Sequence, residues 1–299
     1  MAELTNGGTA GGGLKHFTRL YSGLVMLPHT VFALPFALTA LVLASYETEI
    51  TLRQVVLIVV AFTGARSAAM GFNRLIDHRI DCQNPRTAGR HLPAGRIDRW
   101  RAIVFVAGAA AVFITAAGLL GRLPLLLSPL ALAVVFFYSY TKYFTSFSHL
   151  VLGLALAIAP VGAYLAVTGA FAAGVIVLAG AVVCWVAGFD IIYSLQDERF
   201  DRAKGLFSVP ARLGSGRALW ISRLLHLVSA LLLAAVSLYF PVGLFYWLGW
   251  TVASAMLIYE QTLVTPNDIS RVNAAFFTVN GAVSILFFLL NLADRLVRL

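Results

Sequence analysis

Nine apolar runs, each close to the length of a bilayer-spanning helix, constrain this chain more than any other feature. They fall at approximately residues 22–45, 52–72, 102–120, 123–140, 149–167, 171–193, 219–239, 241–260 and 273–292, against the ~20 residues needed to cross a hydrocarbon core. With 60% hydrophobic and 12% charged residues and a mean hydropathy of +0.86, the chain is too apolar for a soluble domain. The expectation is an all-α, polytopic membrane protein of nine spans. Pro28 and Pro35 in the first run and Pro160 in the fifth fit a bundle whose neighbouring helices re-satisfy freed backbone groups.

The formal charge of +9 follows the membrane rather than a nucleic-acid partner. Of the 22 basic residues, 16 fall in the N-terminal segment and the 2/3, 4/5, 6/7 and 8/9 connections, 4 on the other side, and Arg66 and Arg223 inside runs. The positive-inside rule therefore predicts a cytoplasmic N-terminus and puts those four connections on the cytoplasmic face. Residues 1–14, MAELTNGGTAGGGL, lack the basic region and cleavage site of a signal peptide. A disordered tail is expected there, ahead of one transmembrane domain over 15–299. Cys82 and Cys184 form no disulfide or metal pattern.

The charge is concentrated where chemistry is expected. Gly71 to Arg101 holds three acids and seven arginines, and Asn73, Asp77 and Asp81 recur there at intervals of four. If the preceding helix continues, these side chains share one stripe, with Cβ atoms roughly 5–6 Å apart. Such carboxylates suit a hard ion like Mg²⁺, which takes oxygen ligands at about 2.1 Å and favours carboxylates with substrate phosphates. Guanidinium forks match the remaining phosphate oxygens. A plain reading is a basic connecting loop with its acids in solvated ion pairs. The repeat weighs against it: Tyr193, Asp197 and Asp201 show the same spacing after another apolar run, followed by Arg202, Lys204 and Arg212. Four spans separate the motifs, so both return to one face.

Other polar residues stand out against the apolar background. Arg66 lies two turns from Asn73, about 10 Å along a helix, and an ionisable residue at membrane depth is by default a site candidate. Asp190, seven residues before Asp197, is either a structural partner of Arg66 or Arg223 or an acceptor for a substrate hydroxyl. His29 is either an interhelical hydrogen-bonding residue or a contact to an acceptor molecule. Arg86 and Arg90, in the Pro- and Gly-punctuated NPRTAGRHLPAG, are candidates to reach phosphate. Lys142, the strong base of the 4/5 connection, is a phosphate contact or an interfacial anchor. Glu260, Asn273 and Asn280 read as helix-end or interhelical polar groups.

Together the N-x-x-x-D-x-x-x-D of Asn73, Asp77 and Asp81, NPRTAGRHLPAG, Lys142, FDIIYSLQDERFD and KGLFSVPARLG resemble the UbiA superfamily of intramembrane prenyltransferases over nearly the whole chain. The resemblance implies nine helices around a central cavity capped by the two motif loops, in the inner membrane. It also implies Mg²⁺ on the diphosphate of a polyprenyl donor, held by Asp77, Asp81, Asp197 and Asp201 with Asn73. Lys142 and nearby basic residues, Arg86, Arg90, Arg202 and Lys204, would take the remaining charge, while Asp190 and Tyr193 would position the acceptor ring or the allylic cation.

Within the family, the second motif and SVPARLG look most like the 4-hydroxybenzoate polyprenyltransferases of quinone biosynthesis. Arg74, Tyr143 and the HTVFALP opening depart from that group. They resemble a branch that prenylates a dihydroxynaphthoate on the futalosine route to menaquinone. A transporter would spread polar residues along several spans in inverted repeats, whereas here they gather at one rim. A CDP-alcohol phosphotransferase would carry a D-G-x-x-A-R pattern, absent from this sequence.

Overall fold

A computed structural model describes residues 30–298; the expected tail, His29 and the opening of the first apolar run lie outside them. In chain order the helices are α1 (Thr30–Ala44), α2 (Leu52–Asp81), α3 (Arg99–Leu120), α4 (Arg122–Thr141), α5 (Ser148–Thr168) and α6 (Ala173–Ser194). A 3₁₀ turn (Leu195–Asp197) then leads to α7 (Glu198–Lys204), α8 (Val209–Leu213), α9 (Ser215–Ala235) and α10 (Leu244–Thr262). A π-helical turn (Ala274–Val279) runs into α11 (Asn280–Val297). No β-strand occurs among the described residues.

Among the described residues every apolar run coincides with a helix, and seven of these helices are long and apolar enough to cross a membrane, against the nine expected. The 19-residue α10 falls short because Gly249, Glu260, Gln261 and its aromatic residues dilute the apolar run. Helix α1 is described only from Thr30.

Helix α2 begins where a capping box dictates. The Thr51 hydroxyl accepts from the Gln54 N–H, and the Gln54 side chain accepts in return from the Thr51 N–H at 2.9 Å. The helix then runs unbroken for 30 residues through Asn73, Asp77 and Asp81, so the first motif does share one stripe. It stops just ahead of Pro85, whose ring disfavours helical geometry in the residue before it. The segment that follows is a series of turns, as its composition predicts.

The core is built around α6, where Trp185, Val186, Phe189, Ile191 and Ile192 are buried. Small residues let its neighbours approach closely: a Cβ at Gly153 of α5 would lie 2.4 Å from the Val183 carbonyl oxygen of α6. Buried polar groups bridge helices as expected of Glu260 and Asn280. Asn280 Nδ2 donates to Glu260 Oε1 at 2.9 Å, and its Oδ1 accepts from Trp185 Nε1 at 2.7 Å.

Candidate active site

A cavity of about 870 Å³ opens between α1, α2, α3, α4, α5 and α6. Its lining runs from Asp77 and Asp81 at one end of α2 to Ile58 near the other, a span of about 35 Å at 1.5 Å per residue. Most of the shaft is Ala, Val, Leu and Ile; nearly all the charge sits at one rim. Such a volume suits a ligand that is long and apolar with one highly charged end.

At that rim the carboxylates of both motifs meet cations from elsewhere in the chain. Lys142 Nζ stands 2.6 Å from Asp77 Oδ2. Arg90 Nη1 reaches both oxygens of Asp81 at 2.8 and 2.9 Å. Arg86 grips Asp197 with a two-pronged contact, its Nε donating to Oδ1 at 2.9 Å and its Nη2 to Oδ2. Asn84 Nδ2 adds a bond to the same Oδ1 at 2.9 Å. Arg86 Nη1 also donates to the Tyr193 hydroxyl at 3.1 Å. Burial works against the Arg86 charge, but the hydrogen bond and charge of Asp197 outweigh it and hold its pKa above the ordinary value.

The turn-rich segment after α2 thus clasps the 3₁₀ turn after α6. A 3₁₀ turn over Leu195–Asp197 interrupts the α-helix between Tyr193 and Asp201, and Tyr193, Asp197 and Asp201 all face the cavity. Asp201 lines the cavity beside Ser208 and lies within electrostatic reach of Asp197 and Lys142. Lys142 therefore stands between the two motifs. Its carbonyl also accepts from the Phe207 N–H at 2.7 Å, tying down the segment between α7 and α8. Tyr143 donates to Asp77 Oδ1 at a long 3.4 Å. Burial, then the Asp77 carboxylate, pushes the Tyr143 phenol up, so it stays neutral.

The expected residues separate into two groups. Asn73, Arg66, Asp77, Asp81, Arg86, Arg90, Lys142, Asp190, Tyr193, Asp197 and Asp201 all line the cavity. Arg202 and Lys204 do not: Arg202 turns to Glu198 at 2.9 Å and to the Ala211 carbonyl, and Lys204 is exposed. Asp190 meets neither Arg66 nor Arg223; its partner is His149, 2.7 Å away. Arg223 instead lies over the Trp220 ring. Arg66 lines the cavity with its buried Nε lacking a hydrogen-bond partner among the described residues. Sequence reasoning did not single out Asn84, Ser208 or His149; the position of Asn84 just before Pro85 was the one local signal.

An apolar shaft within a helical bundle, under a rim of facing acids and bases, is the architecture of an intramembrane enzyme. The chain belongs to the UbiA prenyltransferase family, whose model matches residues 33–291, and is a multi-pass membrane prenyltransferase. The 4-hydroxybenzoate octaprenyltransferase of Pseudoalteromonas translucida (strain TAC 125) is 31% identical over 229 residues, covering 75% of this chain and 76% of that protein. The apo structure of a UbiA homolog from Aeropyrum pernix K1 is 35% identical with a TM-score of 0.81, over 89% of this chain and 98% of that one. A UbiA homolog from Archaeoglobus fulgidus, bound to DMAPP and Mg²⁺, shares the fold at 21% identity, with a TM-score of 0.71 over 93% of this chain and 99% of that one.

Proposed function

We propose that the protein transfers a polyprenyl group from its diphosphate to the ring of an aromatic hydroxy acid, 4-hydroxybenzoate first, in quinone biosynthesis. The observation that carries this reading is the rim itself, where Asp77–Lys142, Asp81–Arg90 and Asp197–Arg86 surround the charged end of an apolar shaft. The relatives named for 4-hydroxybenzoate support the acceptor.

Magnesium fits the donor set. Asp77, Asp81, Asp197, Asp201 and Asn73 offer only oxygen ligands at the cavity. Among the described residues no three acids, histidines or cysteines converge tightly enough to hold an ion alone. A bound Mg²⁺ would therefore take its remaining ligands from substrate phosphate and water, as that ion commonly does. When bound, it would supply Lewis-acid neutralisation of the departing diphosphate.

The remaining work falls to the protein's own groups. Lys142, Arg86 and Arg90, now paired with acids, are placed to turn to the diphosphate oxygens and stabilise charge as the allylic C–O bond breaks, its electron pair leaving with the diphosphate. The shaft holds the prenyl chain and keeps water from the allylic cation. The ring carbon then forms the new C–C bond, and its proton passes to the released diphosphate or to water to restore aromaticity. Arg66, with a free donor, would bind the acceptor's carboxylate deeper than Asn73, and Asp190 its hydroxyl. This is an orientation that keeps the carboxylate away from the rim acids.

Arg74 and Tyr143 favour a second reading, the same reaction on a dihydroxynaphthoate, because both are departures from the hydroxybenzoate pattern that lie at the rim. Arg74 lines the cavity and Tyr143 bonds Asp77. The two are separated by incubating purified protein with Mg²⁺, a polyprenyl diphosphate and a panel of hydroxybenzoates and hydroxynaphthoates, and weighing the products by mass spectrometry. Prenylated hydroxybenzoate supports the first reading, prenylated hydroxynaphthoate the second, and no prenylated aromatic defeats both. The charge distribution further supports a cytoplasmic rim at the inner membrane.

A further inference from the structure

His149 sits in the first turn of α5, 4% exposed, where it serves two partners at once. Its Nδ1 lies 2.7 Å from Asp190 Oδ2 on α6, and its Nε2 accepts from the Val209 N–H at 3.3 Å. Those partners fix the ring's proton. A backbone N–H can only donate, so Nε2 is the lone-pair nitrogen and Nδ1 carries the hydrogen that goes to Asp190. Val209 is the first residue of α8, where N–H groups lack a partner within their own helix, and the ring supplies one. Asp190 lines the cavity, with Oδ2 taken by His149 and Oδ1 left for a ligand. The Tyr138 hydroxyl lies within electrostatic reach of Asp190, Asp77, Arg66 and Arg74, all of which line the cavity.

We infer that His149 is a positioning residue for the prenyl acceptor. It fixes the Asp190 carboxylate by one oxygen so that the other receives the acceptor's hydroxyl, and it anchors that carboxylate to the segment carrying Ser208 and Val209. This rests on the proposed aromatic acceptor. It assigns a role to a residue whose hydrogen bonds go to Asp190 and Val209 rather than to the carboxylates of either motif, although Asp201 lies within its electrostatic reach, and it predicts selectivity for the hydroxyl rather than for the carboxylate.

The test is hydroxyl selectivity, the inhibition constant of benzoate divided by the acceptor KM measured with its hydroxylated counterpart, 4-hydroxybenzoate. If hydroxynaphthoate is the acceptor, naphthoate and that acid replace them. His149→Leu keeps bulk and loses both hydrogen bonds; the ratio should fall about tenfold, the scale of a hydrogen bond to a charged group, with donor KM unchanged. His149→Asn retains an amide donor near the Nδ1 position and should keep most of the ratio. It also carries the test if the Leu variant does not fold, since a lost ratio in a folded Asn variant overturns the inference. An unchanged ratio in the Leu variant, or a donor KM that moves with the acceptor's, overturns it too. Wild-type protein that alkylates neither hydroxy acid would instead defeat the underlying aromatic reading, and this inference with it.

Discussion

Lys142 Nζ lies 2.6 Å from Asp77 Oδ2, joining the α4–α5 connection to the end of α2 across 65 residues of chain. The Asp77 side chain is 5% exposed and that of Lys142 30%, so the lysine neutralises a carboxylate that has little access to water. Lys142→Ala should therefore do two things. Donor KM should rise about ten- to a hundredfold, the scale of one charge-assisted hydrogen bond. Stability should also fall, by about 1–3 kcal/mol, less than for a fully buried pair because the lysine is partly solvated. Donor kinetics and a thermal melt in detergent check both, and an unchanged donor KM with a lowered melting point would make Lys142 a structural partner only.

Arg66 carries a buried donor without a partner among the described residues, an arrangement that costs free energy unless a ligand completes it. Arg66→Ala should raise the acceptor's KM about ten- to a hundredfold, roughly 1.5–3 kcal/mol, and leave donor KM nearly unchanged. The reverse pattern in steady-state kinetics would reassign Arg66 to the diphosphate.

Arg86 holds the turn-rich segment after α2 to Asp197 and Tyr193 through three donated bonds. Arg86→Ala should raise amide hydrogen exchange in residues 83–97 and 195–208, while exchange in the middle of α6 stays slow. Unchanged exchange in both segments would show that the clasp is held by other contacts.

The α5–α6 contact is testable without any substrate. At Gly153 a Cβ would fall 2.4 Å from the Val183 carbonyl oxygen and 2.9 Å from its Cα, so the backbones must separate to admit it. Gly153→Ala should lower stability by about 1–3 kcal/mol, the cost of overpacking, read as a lower melting temperature in detergent. An unchanged midpoint would contradict the close approach.

What the sequence made legible follows its local periods. The apolar runs became helices, and the four-residue spacing of Asn73, Asp77 and Asp81 became a stripe because α2 continues through them. At the second motif a 3₁₀ turn over Leu195–Asp197 interrupts the α-helix, yet Tyr193, Asp197 and Asp201 still reach the cavity, while Arg202 pairs with Glu198 one turn back. Partners were the least legible part. The Asp190–His149 and Asn84–Asp197 bonds join residues 41 and 113 positions apart, and no period within one helix encodes which residue of another helix lies opposite. Lys142 stood out in the sequence as the lone strong base of the α4–α5 connection, yet its pairing with Asp77 was not legible.

The central claim is that carboxylates from both motifs serve a single metal-assisted prenyl transfer, and one assay addresses it most directly. Product formation from a polyprenyl diphosphate and 4-hydroxybenzoate or hydroxynaphthoate is measured by mass spectrometry for the wild type, Asp77→Asn and Asp197→Asn, each with Mg²⁺ and with excess EDTA. Turnover is expected only in the wild type with metal, with near abolition in either variant, because each substitution removes an anionic oxygen needed where the diphosphate departs. Full turnover in either variant, or in the wild type with EDTA in excess, would contradict it.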